Sequence, residues 1–416
     1  MYNIQAQAVK EQFVFTLERQ PLLEAGMKKS LRPIVSIAYL LLLTALVSAQ
    51  AVRPATPLQN GQFPADIAKQ IEVVIQEEIA RQNLPGLSFA VAVTGQLRYA
   101  KAFGLADMEN AVPVKNTTVF RTASIAKPMT ATAVMQLAEK GKLDLDAPIQ
   151  KYCAAFPEKP WPITARLILG HLSGIRHYGK PGESTGTEHY FTITDSLKIF
   201  KDDALLFEPG TKFNYTTFGY SVLGCAVEGA SGTTYDDYML ENVFRPAGMD
   251  HTRPDDLFTI IPDRARGYLK LDALTYGQLP AATKAKMKVG ALYNAMLHDT
   301  SMKVPGGGIV STASDLVNFG LSLMNGTVVK QSTLEQMWTS QQTKDGKKTN
   351  YGLGWGVGER AGLKFLSHSG GQAGTSTLLW ILPEKGIVIA AMTNVEGASL
   401  NKMLDDVATV VSDTKK

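Results

Sequence analysis

The chain has 416 residues, 45% apolar and 19% charged, enough to bury a large core in one domain or two. A formal net charge of +4 and the lack of a basic run interleaved with aromatics argue against a nucleic-acid partner. Residues 1–26 are mixed in polarity and read as a segment ahead of the true start. Met27-Lys28-Lys29-Ser30-Leu31-Arg32 is a basic n-region, 34–47 is apolar, and Val47-Ser48-Ala49 offers small residues for cleavage. The segment 27–50 is therefore expected to be a signal peptide, since its apolar run is short of the ~20 residues of a membrane span. Export to the periplasm or medium follows, with no integral span after cleavage. An uncleaved anchor over 34–49 is the alternative.

The remainder, 51–416, reads as a single catalytic domain. An amphipathic helix is expected over 64–82. Two strands, LSFAVAV and LRYAKAFG, are joined at Thr94-Gly95-Gln96, a hairpin signal. Near the other end, LGWGVG, KFLSHSG, TSTLLWILP and KGIVIAAMTN read as four more strands, the last two linked by Pro383-Glu384-Lys385-Gly386. A closing helix is expected over 398–412. The middle is rich in helical patterns and Gly/Pro breaks. The fold class is thus α+β. One antiparallel sheet is built from both chain ends (64–123 and 345–416) and flanked by helices, with a mostly helical region (124–344) inserted. An active site belongs in the cleft between the two.

Export places Cys153 and Cys225 in an oxidising compartment, where they can pair. Two cysteines make no disulfide framework, and Cys225 lies in the apolar run YSVLGCAVEGA, so a buried free thiol is expected. No His/Cys cluster has metal-ligand spacing. His171 and His177 belong to a loop, the lysine-rich stretch 344–348 to a solvated one, and His251 and His298 to surface or loop positions. No metal or cofactor is implied.

Chemistry concentrates at Ser124 and Lys127, one helical turn apart in FRTASIAKPMTATAVMQLAEKG. An amine beside a hydroxyl can take its proton, which makes the serine a nucleophile. Ser399/Lys402 and Ser412/Lys415 repeat the spacing, but they fall in the closing helix and the polar tail. Ser124 instead opens a helix that tolerates Pro128 in its first turn and ends at Gly141. The helix dipole there favours an alkoxide. Tyr215, in FEPGTKFNYTTFGYSVLG, is expected on a loop before a helix, where a phenol near a lysine can serve as acid or base. His368-Ser369-Gly370-Gly371 ends a strand with small residues against which a substrate backbone can lie. The Gly371 and Ser124 amides are the candidate oxyanion hole.

Together, Ser-x-x-Lys, Tyr-x-Thr and His-Ser-Gly-Gly, in this order, resemble the serine β-lactamase and penicillin-recognising superfamily, in its class C and DD-peptidase branch. The likeness spans about residues 64–412. It implies an α/β sandwich with a helical region, Ser124 as acylated nucleophile and Lys127 as its partner. Tyr215 would be proton donor to the leaving group and activator of the deacylating water. The base remains open between Lys127 and Tyr215. Thr217 stands where the family has Asn, and His368 where it has Lys. Thr217, His368, Ser369 and Gly370 are the expected substrate contacts. A neutral histidine holds a carboxylate poorly, so weak β-lactam turnover and better activity on esters, small peptides or D-amino-acid-type peptides are expected. Rival readings are a self-assembling scaffold of the same fold and a penicillin-binding sensor that acylates without turnover. The substrate is a small molecule or short peptide, and self-association stays open.

Overall fold

A computed structural model of the protein describes residues 61–180 and 182–412. The expected leader segments, 1–26 and 27–50, lie outside the described residues. In chain order the principal elements begin with helix α1 (Ala65–Gln82), then strands β1 (Gly86–Val93), β2 (Gln96–Asp107) and β3 (Val112–Pro113). The middle region carries helices α2 (Ala126–Glu139), α3 (Phe218–Ser231) and α4 (Ala313–Met324). The chain closes with β4 (Gly356–Arg360), β5 (Leu363–Gln372), β6 (Thr375–Leu382), β7 (Ile387–Thr393) and helix α5 (Asn401–Ser412).

The two ends meet in one seven-stranded sheet of order β3-β2-β1-β7-β6-β5-β4. Every pairing in it is antiparallel, and the central register sets Phe89 against Ala391 and Val91 against Ile389. The central strands read as unbroken apolar runs because both faces of the sheet are covered. Side chains alternate along each strand. Ile387, Ile389 and Ala391 of β7 join Phe89, Trp380 and residues of α1 and α5 in one cluster. Val388, Ala390 and Met392 join the cluster that contains α2, α3 and α4. Met403, Leu404, Val407 and Val411 of α5 are fully buried, each contributing roughly 1.5–3 kcal/mol. The turn between β6 and β7 is a 3-10 turn closed by Gly386 in the left-handed region.

Three features differ from the sequence reading. Helix α4, assigned by sequence to the inserted region, packs on β1 and β7. Strands of the middle also join two small three-stranded sheets, one of them formed by Phe120–Arg121, Ile309–Ser311 and Arg253–Pro254. Finally, Cys153 and Cys225 are not free thiols: they form a disulfide across 72 positions, with Cα atoms 5.3 Å apart. Close backbone approach brings them together. A Cβ at Gly229 on α3 would stand 1.9 Å from the Tyr152 carbonyl, so only glycine lets the Cys153 segment reach the helix carrying Cys225.

Candidate active site

The segment before Ser124 is held by the sheet. The Thr377 hydroxyl donates to the Thr122 carbonyl at 2.8 Å, and the Thr122 amide donates to the Ile309 carbonyl at 2.8 Å. Between these anchors Ala123 adopts φ 46°, the left-handed region that costs a non-glycine residue about 1–3 kcal/mol. Gly370 makes the approach possible, since a Cβ there would meet the Thr122 oxygen at 2.2 Å. A 3-10 turn, Ala123–Ile125, then runs into α2. Ser124 and Lys127, three residues apart, consequently share one face at the helix N-terminus.

Lys127 is fully buried, with Nζ 3.2 Å from Ser124 Oγ, 3.0 Å from Thr217 Oγ1 and 2.7 Å from the Gly306 carbonyl. These are three neutral oxygens, with no carboxylate among them. Burial pulls the amine well below the ordinary lysine range, and the charge of Lys303 pulls it further. Its lone pair is thereby made available to the Ser124 proton. Tyr215 lies on the loop before α3, its ring 4.7 Å from Lys127 Nζ. Burial raises this phenol well above its ordinary value, and a hydrogen bond shared with Ser124 only partly offsets that rise. His171, fully buried, packs its ring 4.3 Å from Tyr215. Burial first, then Lys127, keeps that imidazole neutral.

Ser124, Tyr215, Thr217 and Gly371 all line a cavity of about 340 Å³. Strand β4 pairs with β5 only as far as Ser367, leaving the far end of β5, up to Gly371 and Gln372, at the cavity. Lys127 sits immediately behind the wall. The other expected contacts are placed differently. His368 is buried behind Tyr215 and outside the cavity lining. Its Nδ1 pairs with the Ser369 carbonyl at 2.8 Å, so Nδ1 carries the hydrogen and Nε2 accepts from the Tyr351 hydroxyl at 2.9 Å. Burial, then Lys127, pushes its pKa down to about 3. Both nitrogens are occupied. Ser369 is exposed outside the lining, and Gly370 is packed under Thr122. The Thr217 hydroxyl is engaged by Lys127 and Tyr178.

Sequence reasoning missed Lys303, His177 and Tyr178, all on the cavity wall. His177 accepts from the Thr217 amide through Nδ1 at 3.1 Å, and burial drops its pKa to about 4. Lys303 precedes the Gly306-Gly307-Gly308 run, whose small residues were the available signal. Ser184 and Thr185, in the loop that follows Tyr178, also reach the cavity. His298, expected at a surface or loop position, is buried with Nδ1 3.1 Å from Arg121 Nη1. Its burial follows from the small sheet that brings Arg121 beside the 255–300 segment. Among the described residues no helix is long and apolar enough to cross a membrane, and no group of three or more His, Cys, Asp or Glu is placed to hold a metal ion.

A serine joined to a desolvated lysine, with a phenol alongside, on an antiparallel sheet and a helical layer defines a serine hydrolase of the β-lactamase and penicillin-binding-protein fold. The Beta-lactamase family model matches residues 71–411, and the chain belongs to that family. It is 31% identical over 434 aligned positions to the serine beta-lactamase-like protein LACTB, mitochondrial, of Homo sapiens, covering 79% of this chain and 76% of that protein. Among solved structures, it is similar to the octameric penicillin-binding protein homologue from Pyrococcus abyssi, with TM-score 0.68 and 25% identity over 82% of this chain and 77% of that one. The D-amino acid amidase from Ochrobactrum anthropi SV3 shares the fold, with TM-score 0.71 and 22% identity over 84% of this chain and 100% of that one.

Proposed function

We propose that the protein hydrolyses small esters or amides through an acyl-enzyme on Ser124, with Lys127 as the base. The carrying observation is the fully buried Lys127 amine, 3.2 Å from Ser124 Oγ and without a carboxylate partner. Ser124 Oγ adds to the acyl carbon as its proton passes to Lys127 Nζ. The bond to the leaving group breaks, and the departing nitrogen or oxygen takes a proton from Tyr215, which is resupplied from the Lys127 ammonium. Water then adds to the ester carbon, giving a proton to Lys127, and the acid departs as Ser124 is reprotonated. The raised Tyr215 phenol favours the donor role over that of a resting base. The amides of Ser124 and Gly371 would receive the developing oxyanion, one donor being worth about 3–4 kcal/mol.

Turnover of β-lactams is expected to be weak, because the occupied nitrogens of His368 and the Thr217 hydroxyl bound to Lys127 offer little to such a substrate. The Cys153–Cys225 bridge supports an exported enzyme. Likeness to an octameric homologue supports self-association, to be checked by sedimentation velocity. The function itself is tested by mass spectrometry after brief exposure to a p-nitrophenyl ester, a D-amino-acid peptide and nitrocefin. An acyl adduct should sit on Ser124 and disappear in Ser124→Ala. Turnover surviving in Ser124→Ala would remove the proposal.

A further inference from the structure

We infer that Lys303 is the anion-recognising residue of this site, and that the preferred substrates carry a free carboxylate and no free ammonium. The inference rests on the hydrolase reading above and names the substrate class of the same cavity.

Lys303 is 3% exposed, yet it forms part of the wall that also carries Ser124. It ends the 3-10 turn Ser301–Lys303, directly before the turn whose Gly306 carbonyl holds Lys127. Among the described residues its polar contact is the Ser184 carbonyl, 3.3 Å away, and its Nζ lies 5.7 Å from the Tyr178 ring centre. The carboxylate that acts on it, Asp255, is already held by Arg121 at 2.7 Å and Arg264 at 3.3 Å. A buried cation without a carboxylate against it is costly unless a ligand supplies one. Burial, then Arg121, lowers its pKa only to about 8, so most of it is charged at neutral pH.

The remaining lining points the same way. Among the described residues no Asp or Glu lines the cavity. A substrate ammonium would meet the Lys303 cation and no acid, whereas a carboxylate would meet Lys303, with the neutral His177 and the hydroxyls of Ser184 and Thr185 beside it. His368, at the position where a carboxylate-holding lysine was expected, is closed off by Tyr351 and the Ser369 carbonyl. The cation of this cavity is instead Lys303, on its wall. Carboxylate-bearing esters are then favoured through Lys303, while β-lactams, which also call on the Thr217 and His368 contacts, stay poor substrates.

The test compares two phenyl esters of equal shape, 3-acetoxybenzoate and 3-acetoxybenzamide, at pH 7. The ratio of their kcat/KM values cancels any change in Lys127 that follows loss of the neighbouring charge. Wild type should favour the anion, and Lys303→Met should cut the ratio about 30-fold, the size of a charge-assisted hydrogen bond. Lys303→Arg should restore most of it. An unchanged ratio in Lys303→Met overturns the inference. Should that variant fold poorly, wild type decides the matter through competitive inhibition: benzoate must outcompete benzamide about tenfold, and equal inhibition overturns the inference. Calorimetric binding of benzoate to Ser124→Ala reads the anion site without turnover, so a failed hydrolase reading and a failed anion site give different results.

Discussion

Replacing Tyr215 with Phe separates the two proton-transfer roles that the sequence leaves open. The phenol ring packs 4.3 Å from His171 and the Lys127 amine lies 4.7 Å from its centre, so losing the oxygen alone keeps the packing. Fold stability should change by less than about 1 kcal/mol. A leaving amine needs the donated proton, so acylation by an amide should fall about 10²–10⁴-fold. At about 1.36 kcal/mol per decade, that is about 3–5 kcal/mol of barrier. A p-nitrophenolate leaves without a proton, so the burst rate with a p-nitrophenyl ester should fall less than about threefold, well under the general-acid range. Lys127→Met is the control. It removes the base and should slow both bursts about 10²-fold or more. Stopped-flow bursts at 405 nm for the ester and single-turnover mass spectrometry for the amide provide the rates. Equal losses on ester and amide in Tyr215→Phe would refute the assignment, because a phenolate base acts on Ser124 whatever the leaving group.

Two further outcomes are expected. Gly370→Ala forces a Cβ against the Thr122 oxygen at 2.2 Å and the Thr377 hydroxyl at 2.3 Å. It should cost about 1–3 kcal/mol in urea unfolding and lower kcat more than it raises KM, because the strained Ala123 turn that aims Ser124 shifts. Reducing Cys153–Cys225, which closes a 72-position separation, should lower unfolding free energy by about 4 kcal/mol on the loop-entropy model, read as the midpoint shift with and without dithiothreitol.

The sheet was legible because its strands are short apolar runs with clear turn chemistry, and both ends of the chain carry them. Ser124 and Lys127 were legible because helix spacing places i and i+3 on one face. The disulfide was not, since pairing depends on how closely Gly229 lets two distant segments approach. His368 was placed on the right strand, but its role depended on Tyr351, a partner that no local pattern announces. Lys303 escaped for the converse reason. Its neighbours Tyr178 and Ser184 come from one loop and Arg121 from another stretch, both far from it in sequence, so nothing local marks its surroundings.

The two lysines are also coupled, and the coupling has a sign. The Lys303 charge depresses Lys127. The imidazoles around Lys127 contribute no charge near neutrality: His171 is held well below its ordinary value, His177 near about 4 and His368 near about 3. Around Lys303 the charged groups are Arg121, which lowers it, and Asp255, which raises it. A substrate carboxylate bound at Lys303 cancels the positive potential reaching Lys127 and raises the Lys127 pKa. The amine becomes a stronger base only once the anion is bound. The acid limb of kcat, which reports the bound enzyme, should therefore lie at higher pH than the acid limb of kcat/KM for 3-acetoxybenzoate. For the neutral amide analogue the two limbs should coincide. On the alkaline side, kcat/KM for the anion should fall as Lys303 loses its proton near about 8, while the neutral substrate shows no such fall there. If both substrates give the same pair of profiles, the lysines act independently and anion binding plays no part in activating the base.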